Sequence, residues 1–249
     1  MDLLYVVKGA EDSLELRMSL RSVEAHARNV GRLIVTGEPP SWLKDAVAVP
    51  CDSPHRRKQM NILRAILKTM ETGAVTGPVL YSSDDHYLLE DMDFDAHPWY
   101  HNGRLPSYEM YAVKGMRINA YRGSLAATRD LLRDRGLPHD LKMSGHFNTH
   151  LDGRDFKAVA VVAGEYWNTP WGYEPSELFA AVARARNPAI VPVKKYDGKV
   201  MVGVTRAFIE GEAKKSAPYL SSANGAMDGP GDLRPWLLEK FPRKSRWEK

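Results

Sequence analysis

The chain predicts an α/β fold with a mostly parallel central sheet flanked by helices. Three observations predict it. The first ninety residues alternate short apolar runs with amphipathic segments of helical period, the pattern of strands joined by crossover helices. Leu3-Leu4-Tyr5-Val6-Val7 is a near-continuous apolar run, as expected of a strand covered on both faces. Residues 78–89, PVLYSSDDHYLL, carry a third such run straight into two carboxylates and an imidazole. In open α/β sheets the carboxyl ends of strands are where ligands sit.

The elements follow in order. Ser13 is placed to cap a first helix, with Leu14, Leu16, Met18, Leu20 and Val23 apolar and Arg17, Arg21 and Glu24 on a solvated face; residues 29–31 end it. Residues 32–37 form the next strand, broken by Glu38-Pro39-Pro40, and Val47-Ala48-Val49 forms a short third one. Residues 51–58, CDSPHRRK, make a polar loop before a helix over 59–70, whose Ile62, Leu63, Ile66, Leu67 and Met70 have helical spacing. Residues 122–135 read as a helix, 158–163 as a strand, and 175–186 as a helix stopped by Asn187-Pro188. Residues 190–193 and 200–204 are two short strands, and Asp197-Gly198 between them predicts an antiparallel hairpin. Residues 216–232, rich in Ser, Gly, Asn and Pro, read as a loop or lid ahead of a basic tail.

Composition narrows the function classes. The chain has 249 residues, 43% hydrophobic and 27% charged, which suits a globular protein with a sizeable core. A net charge of +4 suits a phosphate-bearing partner. Cys51 is the only cysteine, so neither a disulfide framework nor a thiolate zinc site is expected. No apolar stretch reaches the roughly 18 residues of a membrane span, and the N-terminus lacks the basic region of a signal peptide. The expected location is the cytoplasm, without membrane association.

Ionised groups lose several kcal/mol on burial unless paired or metal-bound, so Asp84 and Asp85 are not core-filling residues. They are expected as oxygen ligands of Mg²⁺ or Mn²⁺, with substrate phosphates completing the shell; the alternative is a solvated acidic loop. Lys8-Gly9, at the end of the first strand, is either a loop that receives a nucleotide or an ordinary strand-to-helix turn. Arg56-Arg57-Lys58 sits at a helix N-terminus, where cations oppose the macrodipole and an anion would remove the conflict. Trp99-Tyr100 is a platform for a sugar or base, or the anchor of a long loop. His146 and His150 are four apart, but Gly145, Asn148 and Thr149 make a poor helix, which argues against an independent zinc site.

This order of elements resembles the nucleotide-binding half of GT-A glycosyltransferases, whose metal-binding acidic motif ends the fourth strand. Lys58-x-x-Asn61-Ile62 followed by residues 80–89 resembles more closely a small phage- and bacterium-borne group with an Asn-Asp-Asp motif, related to the Stealth-type sugar-phosphate transferases. Ser83 stands where that group has its first polar ligand. Thr149-His150 followed by Asp155-Phe156 resembles the group's His-containing motif, which implies that His150 completes the metal shell; Asp152 replaces the usual proline. Glu165-Tyr166-Trp167-Asn168 resembles an aromatic-Asn signature, in which Asn168 orients a hydroxyl or caps the next segment. Residues 241–248, FPRKSRWE, resemble the group's C-terminal sequence; the alternative is a solvated basic tail with Trp247 tucked onto the body.

The resemblance implies one GT-A-like, half-Rossmann domain over residues 1–249: a nucleotide- and metal-binding half (1–90), an acceptor half (91–190), and a hairpin, loop and tail (191–249). The implied activity is metal-dependent transfer of a sugar from a nucleotide-diphosphate sugar. Asp84, Asp85 and His150 would hold the metal, Lys8, Gly9, Lys58, Asn61 and Asn168 the nucleotide sugar, and, if the transfer inverts, Asp140 or His146 would take the acceptor proton; a retaining transfer needs no such base. The basic charge, the Arg56-Arg57-Lys58 cluster, Trp99-Tyr100 and the basic tail are compatible with DNA, and the phage-borne relatives point to a hydroxymethylated base as acceptor, in the host cytoplasm if the chain is phage-encoded; a saccharide or a lipid-linked acceptor is the alternative. A sugar-phosphate transferase and a non-catalytic DNA-binding domain are the alternatives. Sugar, nucleotide, acceptor identity, inverting or retaining stereochemistry, metal identity and oligomeric state are left open.

Overall fold

A computed structural model describes residues 1–9 and 13–249. The first half runs β1 (Asp2–Val7), α1 (Leu14–His26), β2 (Ala27–Arg28), β3 (Leu33–Gly37), β4 (Ala46–Pro50), α2 (Lys58–Glu71), β5 (Pro78–Ser82), β6 (His86–Leu88), β7 (Met92–Asp93) and β8 (Tyr100–His101). It continues with α3 (Tyr108–Val113), α4 (Ala120–Asp134), β9 (Thr149–Asp152), α5 (Phe156–Ala163), α6 (Pro175–Arg186), β10 (Val193–Lys194), β11 (Lys199–Val200), α7 (Arg206–Ser216), β12 (Tyr219–Ser222) and α8 (Leu233–Lys240).

The main sheet has the order β4-β3-β1-β5-β9, parallel except for the antiparallel β9 edge. The α/β class with a mostly parallel sheet is therefore observed. Alternation along the strands sends side chains to two cores. Leu4, Ile34, Val79 and Leu151 face α2, α4, α5 and α6, through Leu63, Ile66, Leu125, Val159 and Leu178. Leu3, Tyr5, Val7, Leu33 and Leu80 face α1, together with Phe94, Phe147, Tyr219 and Trp247. Ser13 caps α1 as expected, its side chain accepting from the Leu16 N–H at 3.2 Å.

The chain leaves β1 for β3 on one side and later returns to β5 on the other, so the strand order reverses at β1. Ligands of open α/β sheets bind at such a reversal. The turn at Asp84-Asp85 is pinned from two directions. On α1, Ser19 donates to the His86 carbonyl at 2.6 Å, and Ser22 accepts from the Leu88 N–H at 2.9 Å. On the other side, Ser222 N of β12 donates to the Asp85 carbonyl at 3.1 Å.

Four expectations are corrected. Residues 158–163 lie in helix α5, not a strand: only Val159 and Ala163, one turn apart, are buried, and Gly164 ends the helix at φ 52°. Short apolar runs do not distinguish the two states. The hairpin at 190–204 does not form. β10 pairs parallel with β8 and β11 parallel with β12, because the Asp197 carboxylate is drawn to Asn102, Lys142 and His146. The proposed lid contains buried β12, which pairs antiparallel with β6. Arg17 and Arg21 are not a solvated face; both bind the buried Glu248 carboxylate, at 3.2 and 2.8 Å, and so fasten the C-terminal tail. Trp247 is buried in the α1-side core, as the structural alternative for the tail expected. No helix among the described residues is long and apolar enough to cross a membrane.

Candidate functional site

Two clefts open at the carboxyl edge of the sheet and share Lys58 and Ile62 as a wall. The first, about 350 Å³, is lined by Lys8 after β1, Gly37 after β3, the 51–58 loop with Ser53 and Arg56, and Asp84. The second, about 220 Å³, is lined by Asp85, His86, Gln59, His146, Glu174 and Lys199, among others. The acidic pair straddles the wall, one carboxylate in each cleft.

The first cleft is built for an anion. Lys8, Arg56 and Lys58 line it. α2 begins at Arg57 with no side-chain cap and no acidic residue in its first turn, so its N–H groups and positive dipole end face the cleft unanswered. Arg57 itself turns away, donating to the Pro170 carbonyl at 3.0 Å and lying over the Trp171 ring. Asn61 lines the cleft, but both ends of its amide hold the backbone of His55, at 2.9 and 2.8 Å. These two bonds fix the shape of the loop beside the cleft. Gly9 makes the turn after β1 at φ 59°, and its N–H donates to Glu38 Oε2 at 2.8 Å.

Asp84 is raised above the ordinary carboxylate range, first by burial and then by Asp85, with Lys58 opposing. Glu15 of α1 faces the same pair and is pushed up to about 7, by burial and then by Asp84. Negative charge is thus in excess here. No three His, Cys, Asp or Glu side chains among the described residues form a ready metal cage. Two adjacent carboxylates still fit a hard cation that takes the rest of its shell from water and substrate phosphate, the usual habit of Mg²⁺.

The other expected residues divide. His146 lines the second cleft: its Nδ1 lies 2.8 Å from Asp197 Oδ1 and its Nε2 lies 3.3 Å from Lys199 Nζ. Burial of Asp197 opposes its charge, but His146 outweighs this and holds the carboxyl well below its usual range. His150 is not brought to the acidic pair. On β9 it registers with Leu80, stacks on Trp99 with ring centroids 4.5 Å apart, and meets the His97 carbonyl at 2.8 Å. Its neighbour Thr149, on the opposite face of the strand, is the one that reaches the cleft. The imidazole beside Asp85 is His86, with Nε2 3.7 Å from Oδ1; burial above all lowers it to about 4. Asp140 lies outside the cleft, largely exposed and paired with Arg184 at 2.9 Å. Asn168 is exposed and bonds Glu165 at 2.6 Å, also outside both clefts.

In overall shape the chain is similar to LgtC, a GT-A glycosyltransferase, in the crystal structure of an active-site mutant. The TM-score is 0.47 at 13% identity, over 99% of this chain and 98% of that one. No protein-family model matches the chain, and no curated protein matches it. The chemistry of the site therefore has to come from its own residues.

Sequence reasoning passed over Glu174, Asp197, Lys199 and Gln59. Glu174 is buried at the edge of the second cleft, which it lines, accepts from Ser124 Oγ at 2.5 Å, and is pushed up to about 7, by burial first. Its signal was present: an acid directly before Pro175 stands at a helix start, where a carboxylate is favoured. Glu177, one turn on, accepts from the Met143 and Ser144 N–H groups at 2.7 and 2.8 Å and holds the segment that carries His146.

Proposed function

We propose that this chain is a metal-dependent glycosyltransferase that moves a sugar from a nucleotide-diphosphate sugar to a hydroxyl acceptor. One observation carries this: the Asp84-Asp85 pair stands on the wall between a cationic cleft and a second cleft holding an Asp–His couple.

Lys8, Arg56, Lys58 and the open N-terminus of α2 bind the donor diphosphate, each favouring phosphate oxygens. Asn61 keeps the 51–58 loop in place for this. Asp84 and Asp85 would hold Mg²⁺ or Mn²⁺, which when bound supplies Lewis-acid neutralisation of the leaving diphosphate. His146 accepts the acceptor proton. The Asp197 carboxylate lies 2.8 Å from Nδ1 without a hydrogen bond to it, and its negative charge favours the imidazolium that forms when Nε2, 3.3 Å from Lys199 Nζ, takes the proton. The acceptor oxygen bonds to the anomeric carbon, the bond from that carbon to the diphosphate breaks with its electrons leaving on phosphate, and the hydroxyl proton passes to His146. A single displacement of this kind inverts the anomeric centre.

Several features that suggested nucleic acid are engaged within the fold. Arg57 lies over Trp171, and Trp99 stacks on His150. DNA is accordingly an outcome to be tested, not the assignment.

The test is a thermal-shift screen of nucleotide sugars with and without Mn²⁺, followed by product analysis. A donor at one hundred times its dissociation constant adds about 2.7 kcal/mol to stability. One nucleotide sugar is expected to stabilise the protein only with metal and to release a nucleoside diphosphate. Release of a monophosphate would instead indicate sugar-phosphate transfer, and no shift with any donor would overturn the assignment.

A further inference from the structure

The basic C-terminal tail takes no part in the two clefts at the sheet edge. It lines a third cavity of about 420 Å³, between Arg21, Glu24 and Ala25 of α1 and residues 240–244. Glu15, near the start of α1, faces the acidic pair, so this cavity lies towards the opposite end of the helix. The tail is not a loose solvated chain here. Phe241 is buried beside Trp236 and Leu237, Trp247 is buried in the α1-side core, and the Ser245 N–H is held by Glu248 at 3.0 Å. Lys240, Arg243 and Lys244 are exposed beside and between these anchors.

Charge is unbalanced around the cavity. Its lining holds Arg21, Lys240, Arg243 and Lys244 against Glu24. Arg21 is answered by Glu248 at 2.8 Å, and Glu24 by Arg246 at 3.2 Å. The nearby acids are taken as well: Glu239 pairs with Arg206 at 2.7 Å, and Asp91 with His26 at 3.0 Å. Lys240, Arg243 and Lys244 keep no side-chain carboxylate in ion-pair range among the described residues. Lys240 Nζ lies 5.6 Å from the centre of the Trp236 ring, and Lys244 Nζ donates to the Lys249 main-chain oxygen at 2.7 Å. The anchored backbone thus holds three like charges around one cavity, and their repulsion falls when an anion sits among them.

We propose that this cavity is a second anion site, which takes neighbouring phosphate groups of an oligophosphate chain through Lys240, Arg243 and Lys244. Three cations within five residues match a ligand that carries several negative charges in a short length. The Arg243 guanidinium suits a forked contact to one phosphate, and the two ammonium groups answer its neighbour as point charges. The volume lies in the usual range of small-ligand pockets. A free oligophosphate and the backbone of a single-stranded nucleic acid share this chemistry. The site has no lining residue in common with the donor cleft and does not rest on glycosyl transfer.

Binding to the full chain is measured without metal, by fluorescence anisotropy of a short labelled oligothymidylate and by its competition with inorganic tripolyphosphate. At least one probe should bind at low salt. For the oligonucleotide the log–log salt slope should be about −2, from three contacts at about 0.7 each. Lys240→Gln combined with Arg243→Gln should weaken binding tenfold or more. The same variant should keep the parent's thermal unfolding and nucleotide-sugar affinity, because both side chains are exposed and border neither sheet-edge cleft. Arg56→Gln, in the donor cleft, should leave the probe affinity unchanged. Tighter binding of tripolyphosphate identifies a free oligophosphate as the source, and tighter binding of the oligonucleotide a nucleic-acid backbone; either supports the site. Three results overturn the inference: neither probe binds, the affinity follows Arg56 instead of the tail residues, or a polyglutamate peptide of equal charge binds as tightly, which reduces the cavity to a general cationic surface.

Discussion

Asp84 and Asp85 are adjacent in sequence but serve different clefts, and single substitutions separate their surroundings from their chemistry. Asp85→Ala should abolish the metal-dependent part of nucleotide-sugar stabilisation and leave the metal-free melting temperature near that of the parent, since the side chain lines the second cleft and meets His86 only at 3.7 Å. Calorimetric melts with and without Mn²⁺ measure this; unchanged metal dependence excludes Asp85 as a ligand. For the Asp197–His146 couple, His146→Ala should lower kcat by about 10²–10⁴-fold, the range of a lost general base. Asp197→Asn should lower kcat as well, and little further when added to His146→Ala, because residues that act as one unit are not additive. A double-mutant cycle on kcat checks it; full additivity would mean that the two act separately. The acidic pair was legible in the sequence because two ionised groups ending an apolar run have no packing role. Glu174 and Asp197 were not, because Ser124 and His146, the groups that give them meaning, lie 50 and 51 residues away.

Among the elements, the strands of the parallel sheet and the helices beside them follow from local pattern, and their ends place the clefts. Gly37 ends β3 at φ 107°, and a Cβ there would stand 2.1 Å from the Val7 carbonyl oxygen, one residue before Lys8. Gly37→Ala should therefore destabilise by more than about 1 kcal/mol and weaken donor binding, because the strained backbone and the pushed β1 end both border the first cleft. Urea unfolding and a nucleotide-sugar titration measure the two effects; a variant as stable as the parent would show that the sheet edge yields freely. The elements that local pattern misjudged were short. α5 is one apolar run, readable as either state. β10, β11 and β12 are two to four residues long and exist because distant strands pair with them. Asp197-Gly198 has the composition of a tight turn, yet the carboxylate is held by charges from elsewhere in the chain.

At the scale of the whole molecule, the C-terminal tail closes the α1-side core. Glu248 lies between Arg17 and Arg21, accepts from the Ser245 N–H at 3.0 Å, and forms a bridge with Leu43. Burial alone would raise its carboxyl, but Arg21, the Ser245 N–H and Arg17 together bring it down to about 2, from 4.5. The folded state thus binds fewer protons than the unfolded one across that interval. The stability from Glu248 is complete above about pH 4.5 and is lost as pH falls towards 2. Glu248→Gln should cost about 3 kcal/mol at pH 7, as for a buried pair losing one partner, and the gap to the parent should narrow below about pH 4.5 and close as pH falls through about 2. Urea unfolding at both pH values measures it; a gap independent of pH would assign the effect to packing instead. The sequence by itself determined the parallel core, the first helices and the acidic pair, because apolar period and the cost of burying charge are local properties. The tertiary structure alone decided which imidazoles meet which carboxylates, that β12 is a buried strand, and that the basic tail belongs to the core. Each of these depends on partners far along the chain, and only the folded arrangement brings them within reach.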